Sequence, residues 1–425
     1  MFARFFRVYA AVNMVVLSMC LNTAYSQWKQ TPLSTQSPVY ALAAGSGRVF
    51  AGIQGEFNDG GVYLSSDTGA TWSPFYIGTD IEVNALLVSE DTMLIGVNKF
   101  AGNQGIIRTS DLGAAWDTTA NTLSDLNVFS FAANDSNVYA GTENGISFSS
   151  DFGVDWTSES AGFPVNTYVY ALATIGNQCF AGIFNSTDSN YGVWCTTNNG
   201  DRWSLCNIGL PQSSVQSLAV LEGADTFLFA GLDGTGIYRS TNRGATWLVD
   251  TLGLTCKNVF ALYSSGGNLF AGTTGGVFLS TNAGGSWSDV SNGLADSTVY
   301  SITVLGNDIL AGTATRGVWR RPLSELVTSA PELQSSLPMR DAIVQAFPNP
   351  FMDVISLRFT VHTREMVSID IFNALGKRCA TIVNGMEDVG THTAVFSGAG
   401  LQDGIYFYRM NAGHTANTGI LELMR

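Results

Sequence analysis

The stretch Ser65-Ser66-Asp67-Thr68-Gly69-Ala70-Thr71-Trp72 decides the fold, because its pattern returns at near-regular intervals along the chain. The pattern is Ser/Thr-x-Asp/Asn-x-Gly-x-x-Trp, and its successive tryptophans lie 44, 40, 47, 44 and 40 residues apart. The six copies contain Asp67, Gly69 and Trp72; Asp111, Gly113 and Trp116; Asp151, Gly153 and Trp156; Asn198, Gly200 and Trp203; Asn242, Gly244 and Trp247; and Asn282, Gly284 and Trp287. A repeat of this length indicates an array or a ring of similar structural units.

Two shorter patterns lie between these copies and occur seven times each. One is a pair of apolar segments that ends in Ala-Gly or a related pair, as in Phe50-Ala51-Gly52, and the other is Gly-Val/Ile-aromatic, as in Gly61-Val62-Tyr63. Together with the tryptophan segment they predict four short strands per unit. Four strands in about 42 residues are typical of a β-propeller blade, whereas solenoid repeats contain a helix or a shorter coil.

The two ends of the repeat predict how the ring closes. Gly317-Val318-Trp319 is followed by no further copy of the tryptophan pattern, but Trp28 lies 44 residues before Trp72, in register with the later tryptophans. We therefore predict an all-β, seven-bladed β-propeller over residues 27–322, in which the N-terminal segment supplies the outer strand of the last blade. Such closure removes open sheet edges.

The eight-residue pattern suits a turn between the third and fourth strands of a blade. We expect the Asp or Asn to accept hydrogen bonds from the turn's own N–H groups, the Gly to supply a positive φ, and the Trp to pack against the neighbouring blade. Asp and Asn alternate at one position, which indicates that acceptor geometry matters there and charge does not. These residues resemble the Asp-box, or BNR, repeat of sialidases, xyloglucan-cleaving glycoside hydrolases, the sortilin family and the photosystem II assembly factors. The resemblance implies a propeller and leaves the function open.

The composition excludes several classes of function. Charged residues make up 13% of the chain, against about 25% in average soluble domains. The net charge of −14 argues against a nucleic-acid partner, which requires a basic surface. The three histidines, His362, His392 and His414, all lie outside the predicted propeller, so the ring cannot contain a Ser–His–Asp triad or a three-histidine zinc site. The oxygen-rich loops lack a recognised calcium-loop spacing, and the sequence predicts no catalytic residue, cofactor or metal.

The predicted ligand-binding face carries the loops between second and third strands, opposite the tryptophan turns. The longest are 53–60, 97–104 and 183–191. Loops on a rigid scaffold commonly carry function. The candidate ligand residues on this face are Glu56, Asp59, Lys99, Asn103, Asp188, Tyr191, Asp233 and Arg316. This mixture of carboxylates, amides and aromatics suits an extracellular glycan or protein, and the alternative is a solvated rim with no ligand.

Two functions remain open for the predicted propeller. The sequence favours a non-catalytic binding or scaffold protein. The alternative is a carboxylate-based glycoside hydrolase, sialidase-like or xyloglucanase-like, which needs two carboxylates about 5–9.5 Å apart. The Phe/Tyr-Arg-Ile-Pro segment of sialidases is absent from the sequence.

Residues 1–26 are predicted to be a secretory signal peptide. Arg4 and Arg7 precede an apolar run, which ends before the small residues of Ala24-Tyr25-Ser26. The alternatives are a transmembrane anchor, for which the run is short, and a lipoprotein anchor at Cys20. No other segment is predicted to span a membrane. In the mature chain Cys195 and Cys206 flank one predicted hairpin, so they form either a disulfide or two small buried apolar side chains.

The repeat stops before the C-terminus. Residues 323–341 read as a linker, and residues 342–425 contain about seven predicted strands, which indicates a small Ig-like β-sandwich. The segments 347–351 (FPNPF), 371–377 (IFNALGK) and 401–407 (LQDGIYF) resemble the type A C-terminal sorting domain of the type IX (Por) secretion system. The resemblance implies the type IX machinery as a partner, and export through the periplasm to the surface or medium of a Gram-negative bacterium. Release and anchoring remain open, and the alternative is a generic Ig-like adhesion module.

Overall fold

The computed structural model describes residues 27–55, 60–77, 81–98, 105–118, 127–164, 166–185, 191–223, 225–326, 342–347, 349–361, 364–373, 377–412 and 415–424. The predicted signal peptide lies outside these residues. The chain divides into two compact units, Met1–Thr328 and Ser329–Arg425. In the described part of the chain, no helix is long and apolar enough to cross a membrane.

Within its described residues, the first unit consists of seven four-stranded antiparallel sheets. The first strand in the chain is β1 (Lys29–Gln30). Sheet 1 follows with β2 (Val39–Gly45), β3 (Arg48–Ile53), β4 (Gly61–Ser65) and β5 (Ser73–Ile77). Sheet 2 contains β6 (Val83–Ser89), β7 (Thr92–Val97), β8 (Ile106–Thr109) and β9 (Asp117–Thr118). Sheet 3 contains β10 (Val128–Asn134), β11 (Asn137–Thr142), β12 (Gly145–Ser149) and β13 (Thr157–Ser158). Sheet 4 contains β14 (Thr167–Ile175), β15 (Gln178–Asn185), β16 (Gly192–Thr196) and β17 (Ser204–Leu205).

The remaining three sheets repeat this order. Sheet 5 contains β18 (Val215–Leu221), β19 (Phe227–Leu232), β20 (Gly236–Ser240) and β21 (Leu248–Val249). Sheet 6 contains β22 (Val259–Ser265), β23 (Asn268–Thr273), β24 (Gly276–Ser280) and β25 (Ser288–Asp289). Sheet 7 contains β26 (Val299–Leu305), β27 (Asp308–Thr313) and β28 (Val318–Pro322), and its fourth strand is β1.

The seven sheets contact one another in a closed circle through their first strands. The circle closes where β2 of sheet 1 contacts β26 of sheet 7. A Gly near the end of each second strand allows this close approach. At Gly182, for example, an added Cβ would lie 2.5 Å from Cγ1 of Val215 in the next sheet. Such close contacts explain why small residues recur at the ends of the second strands.

Sheet 7 is completed by residues from the start of the described chain. Lys29 pairs with Arg320 and Gln30 with Trp319 across the antiparallel β1–β28 ladder. Trp28, which is buried, donates its indole N–H to the Val290 carbonyl at 2.8 Å. The N-terminal segment therefore occupies the outer position of the last sheet.

The eight-residue turns, called box turns below, all have the same hydrogen-bond arrangement. In the turn 280–287, the hydroxyl of Ser280 donates to Oδ1 of Asn282 at 2.9 Å and accepts the Gly284 N–H at 2.9 Å. The same Oδ1 accepts the Ser286 N–H at 2.9 Å. Gly284 has a φ of 87°, which other residues rarely adopt. The other five turns make equivalent bonds through Ser65 and Asp67, Thr109 and Asp111, Ser149 and Asp151, Thr196 and Asn198, and Ser240 and Asn242.

The box-turn tryptophans connect neighbouring sheets. Trp203, Trp247 and Trp287 are almost fully buried, and each indole N–H donates to a carbonyl near the outer strand of the preceding sheet, at 2.8–2.9 Å. Each also packs in an apolar cluster formed by two adjacent sheets. Trp28 makes the equivalent contacts between sheets 6 and 7. Burying a side chain of this size stabilises each contact between sheets.

Two features lie at the margins of the first unit. Leu323–Glu325 forms a 3-10 helix, and Leu323 and Leu326 pack against the cluster of sheets 6 and 7, so ordered contacts extend four residues into the predicted linker. In sheet 4, Cys195 and Cys206 form a disulfide. From the sequence, these two cysteines could form either a disulfide or two unpaired, buried apolar side chains.

The second unit contains two antiparallel sheets over its described residues. The smaller sheet has the order β29 (Ala342–Phe347), β30 (Val354–Val361) and β33 (Gly390–Ser397). The larger sheet has the order β32 (Arg378–Glu387), β31 (Glu365–Asn373), β34 (Gly404–Ala412) and β35 (Thr415–Leu423). One apolar cluster contains side chains from both sheets, including Phe359 and Ile369. Asn349 holds the last strand, because its side chain donates to the Ile420 carbonyl and accepts the Glu422 N–H.

Candidate functional site

The first unit contains a cavity of about 410 Å³ at the centre of the ring of sheets. The cavity lies where the first strands begin and the second strands end, which is the edge opposite the box turns. One residue from the first strand of every sheet lines it, together with two residues that follow second strands. These residues are Tyr40, Asn84, Phe129, Tyr170, Gln216, Phe260 and Tyr300, with Gln54 and Asn98.

The seven first-strand residues share one backbone feature. In each sheet the register between the first and second strands shifts by one residue, a β-bulge, at the position of the cavity residue. In sheet 7, Val299 pairs with Thr313 and Ser301 pairs with Gly312, which leaves Tyr300 without a partner in the ladder. A bulge bends the strand and redirects a side chain. Seven equivalent bulges therefore present seven side chains to one cavity.

Aromatic side chains form two groups at this cavity. Tyr300 contacts Tyr40 and Phe260, with ring centroids 4.8 and 5.0 Å apart, so sheets 6, 7 and 1 form one group. Phe129 and Tyr170, with centroids 5.3 Å apart, form the second group on sheets 3 and 4. All five rings are half-buried. Their remaining exposed surface makes the cavity suited to a ligand with apolar faces.

Amide side chains lie between the two aromatic groups. In sheet 2 the Asn84 amide donates to Oδ1 of Asn98 at 2.6 Å, and the Asn98 amide donates to the Glu82 carboxylate at 2.7 Å. In sheet 5 the Gln216 amide donates to the Ser214 hydroxyl at 2.8 Å. These contacts orient the amide groups of Asn84 and Gln216 and leave the carbonyl oxygens of these two residues as acceptors for a ligand.

Tyr170 and Tyr300, two tyrosines of the cavity, stay protonated at neutral pH. Burial raises the pKa of Tyr170, and the neighbouring Tyr168 phenol adds to this effect. Burial also raises the pKa of Tyr300, with a further contribution from Asp296. Both phenols can therefore donate hydrogen bonds, and neither adds charge to the cavity.

Most residues predicted for the ligand-binding face are not among those that the structure describes. Glu56, Asp59, Lys99, Asn103 and Asp188 lie outside the described residues, and their roles stay predictions. Asp233 and Arg316 are exposed, and Tyr191 is half-buried. None of these three described residues lines the cavity, although Tyr191 contacts Phe184, which in turn contacts Tyr170.

The nine cavity residues were not predicted from the sequence, although the sequence contains a signal for seven of them. Each first strand contains Val, then the cavity residue, then Ala or Ser, as in Val39-Tyr40-Ala41 and Val299-Tyr300-Ser301. The flanking residues repeat and the middle one varies among Tyr, Phe, Asn and Gln. Variation at one position of an internal repeat, between neighbours that stay the same, is the signal that indicates these cavity residues.

Solved structures with similar architecture are β-propellers. YCF48 bound to D1 peptide has 15% identity and a TM-score of 0.52, with coverage of 70% of this chain and 96% of that one. PorZ, a surface component of the type IX secretion system of Porphyromonas gingivalis, has 15% identity and a TM-score of 0.51, with 92% and 60% covered. A GH74 xyloglucanase from Xanthomonas campestris has 13% identity and a TM-score of 0.51, with 79% and 59% covered. The chain thus spans about 60% of the last two proteins. At these identities the likeness shows the fold alone, and no curated protein matches the sequence.

The C-terminal unit has a family assignment of its own. Residues 345–420 match the model of the secretion system C-terminal sorting domain. This range contains the strands from β30 to β34 and most of β35. The chain therefore carries an all-β unit of propeller type, followed by a Por-type sorting domain that directs its export through the type IX secretion system to the cell surface or the medium.

Proposed function

We propose that this chain is a secreted or surface-displayed binding protein, and that it holds an extracellular glycan or protein in the central cavity. In this proposal the seven sheets are the blades of a seven-bladed, Asp-box-type propeller, β1 closes the ring, and the C-terminal unit is an Ig-like sandwich used for export. Residues 1–26 act as the signal peptide.

The seven β-bulges carry this proposal. A bulge interrupts ladder pairing, and bulges are found next to functional sites because they redirect a side chain. Here every sheet has one at the same position, and the seven redirected side chains line a single cavity. A ring without a ligand has no need for different side chains at this position, whereas a ligand requires a specific arrangement of aromatic and amide groups.

The types of residue that line the cavity favour binding of a ligand over hydrolysis of a glycan. Aromatic rings offer flat apolar surfaces, and amides both donate and accept hydrogen bonds. The alternative of a carboxylate-based glycoside hydrolase stays a prediction, and a turnover assay with the captured glycan checks it. The YCF48 structure contains a bound D1 peptide, which is consistent with a peptide as one class of ligand for a ring of this type.

The proposal is tested with the mature chain, residues 27–425, on glycan and peptide arrays, followed by titration of each captured ligand. The double variant Tyr40→Ala, Tyr300→Ala removes two contacting rings and should weaken binding at least about tenfold. Leu248→Ala is the control, because Leu248 is an exposed apolar residue on an outer strand, away from the cavity. Unchanged affinity in the double variant, with its melting temperature retained, would contradict the proposal.

A further inference from the structure

We infer that the ligand is a chain of neutral sugars, which extends from the central cavity over sheet 4 along a row of aromatic side chains. This inference rests on the proposed function, since it names the class of ligand and its direction. The row, called the aromatic track below, consists of Tyr168, Phe184 and Tyr191.

The aromatic track continues directly from the cavity. Tyr170, which lines the cavity, contacts Tyr168 and Phe184, with ring centroids 6.1 and 6.3 Å apart. Phe184 then contacts Tyr191 at 5.7 Å. All four side chains are half-buried, so each retains exposed surface. Tyr168 and Phe184 lie side by side, with ring centroids 5.9 Å apart. The track therefore leads from Tyr170 to this pair and then to Tyr191, at steps comparable with the advance per residue of a pyranose chain.

Sheet 4 departs from the repeat at this place. Its first two strands, β14 and β15, have 9 and 8 residues, whereas those of sheet 5 have 7 and 6. The extra length adds the cross-strand pair Tyr168 and Phe184. The corresponding pairs in the other sheets contain no aromatic residue: Pro38 and Gln54, Glu82 and Asn98, Asn127 and Glu143, Ser214 and Asp233, Asn258 and Thr274, and Thr298 and Ala314.

Two of these other pairs, in sheets 2 and 3, make a polar contact within the pair. Asn98 donates to the Glu82 carboxylate, and Asn127 donates to the Glu143 carboxylate. In each of these pairs the two polar side chains hydrogen-bond to each other within their own sheet. Tyr168 and Phe184 instead extend the apolar surface of the cavity outward in one direction, which suits a linear ligand better than a compact one.

The charge of the protein distinguishes between neutral sugar chains, anionic saccharides and charged peptides as linear ligands. The nine cavity residues and the aromatic track contain no Asp, Glu, Lys, Arg or His, and the whole chain has a net charge of −14. A polyanionic saccharide would be repelled by this net charge, and a charged peptide would find no partner for its ionic groups in this lining. A neutral sugar chain offers C–H faces for the rings and hydroxyls for Asn84 and Gln216.

The test is a calorimetric titration of the mature chain with neutral oligosaccharides from disaccharide to hexasaccharide, taken from the β-1,4-glucan, xylan and mannan series. Affinity for at least one series should rise with chain length. In the variant Tyr168→Ala, Tyr191→Ala, hexasaccharide affinity should fall about tenfold, while disaccharide affinity stays unchanged. Tyr168→Phe retains the ring and should bind as the parent protein does.

The possible outcomes separate this inference from the proposed function. Absence of binding to all three neutral series, equal losses at all lengths, or tighter binding of polygalacturonate overturns the inference. If a peptide is captured instead, and Tyr40→Ala, Tyr300→Ala abolishes its capture, the proposed function stands and the neutral-sugar inference fails. If no captured ligand depends on Tyr40 and Tyr300, both fail.

Discussion

Ser280 belongs to the group of hydroxyl residues that open the box turns, and its side chain is almost fully buried. Its hydroxyl is both a donor, to Asn282, and an acceptor, from the Gly284 N–H. The backbone N–H of Gly284 is buried, so it needs this partner, which water cannot easily replace. The hydroxyl thus explains why Ser or Thr opens every copy of the repeat.

Replacing Ser280 by Ala should lower the free energy of unfolding by about 1–3 kcal/mol, because the buried N–H of Gly284 loses its acceptor. Urea denaturation of the mature chain measures the change. Ser288→Ala is the matched control, since Ser288 is exposed on the outer strand of the same sheet. Equal effects of the two substitutions would show that the turn does not depend on the Ser280 hydroxyl.

The strands next to the cavity set how closely two sheets approach. Gly182 lies on β15 of sheet 4, and the Cβ of an alanine there would lie 2.5 Å from Cγ1 of the buried Val215 on sheet 5. This contact recurs around the ring. Because the valine before each bulge fills the space beside the glycine of the preceding sheet, that glycine position does not tolerate additional volume.

Gly182→Ala should therefore destabilise the first unit by about 1–3 kcal/mol through overpacking against Val215. The double variant Gly182→Ala, Val215→Ala should recover part of this loss by opening the contact. Gly223→Ala is a suitable control, because the nearest atom to its added Cβ is 3.6 Å away. A melting temperature unchanged by Gly182→Ala would contradict the close contact.

The strand pattern could be predicted from the sequence because each sheet of the first unit repeats the same residues for the same packing reasons. The tryptophan of the box turn and the glycine of the second strand are fixed by burial and close contact, and they recur visibly. Tyr300 and its equivalents were missed, because each sheet contributes only one of them and because a bulge is a backbone irregularity with no residue type of its own. Tyr168 and Phe184 could not be located from the charged loops, because both are aromatic and lie near strand ends.

The first unit as a whole combines box turns with Asp and box turns with Asn. Side-chain and backbone hydrogen bonds from Thr71 lower the pKa of Asp67 to about 2. The Ala115 N–H lowers the pKa of Asp111. Burial acts to raise the pKa of Asp151, but the Asp155 N–H and other donors more than offset it. Three carboxylates are therefore more acidic in the folded chain than in the unfolded one.

This difference predicts how stability depends on pH. A carboxylate with a lowered folded pKa stabilises the fold above its unfolded pKa of about 4, and this contribution is lost as pH falls towards about 2. The triple variant Asp67→Asn, Asp111→Asn, Asp151→Asn keeps the Oδ1 acceptors and should lose less stability on acidification. Urea denaturation between about pH 5 and about pH 2 measures this. Asp201→Asn, an exposed change in the box turn of sheet 4, is the control, and equal acid sensitivity of triple variant and parent would refute the assignment.

The pairing of β1 with β28 has a consequence for the order in which the chain matures. Trp28 and its acceptor Val290 are 262 residues apart, and ribosomes release a chain from its N-terminus. Strand β1 is thus synthesised before the other described strands of the first unit but finds its place after them, and ring closure waits for almost the whole unit. Contacts of such long sequence separation form slowly. The first unit therefore reaches its closed form only after strand β28 has been made.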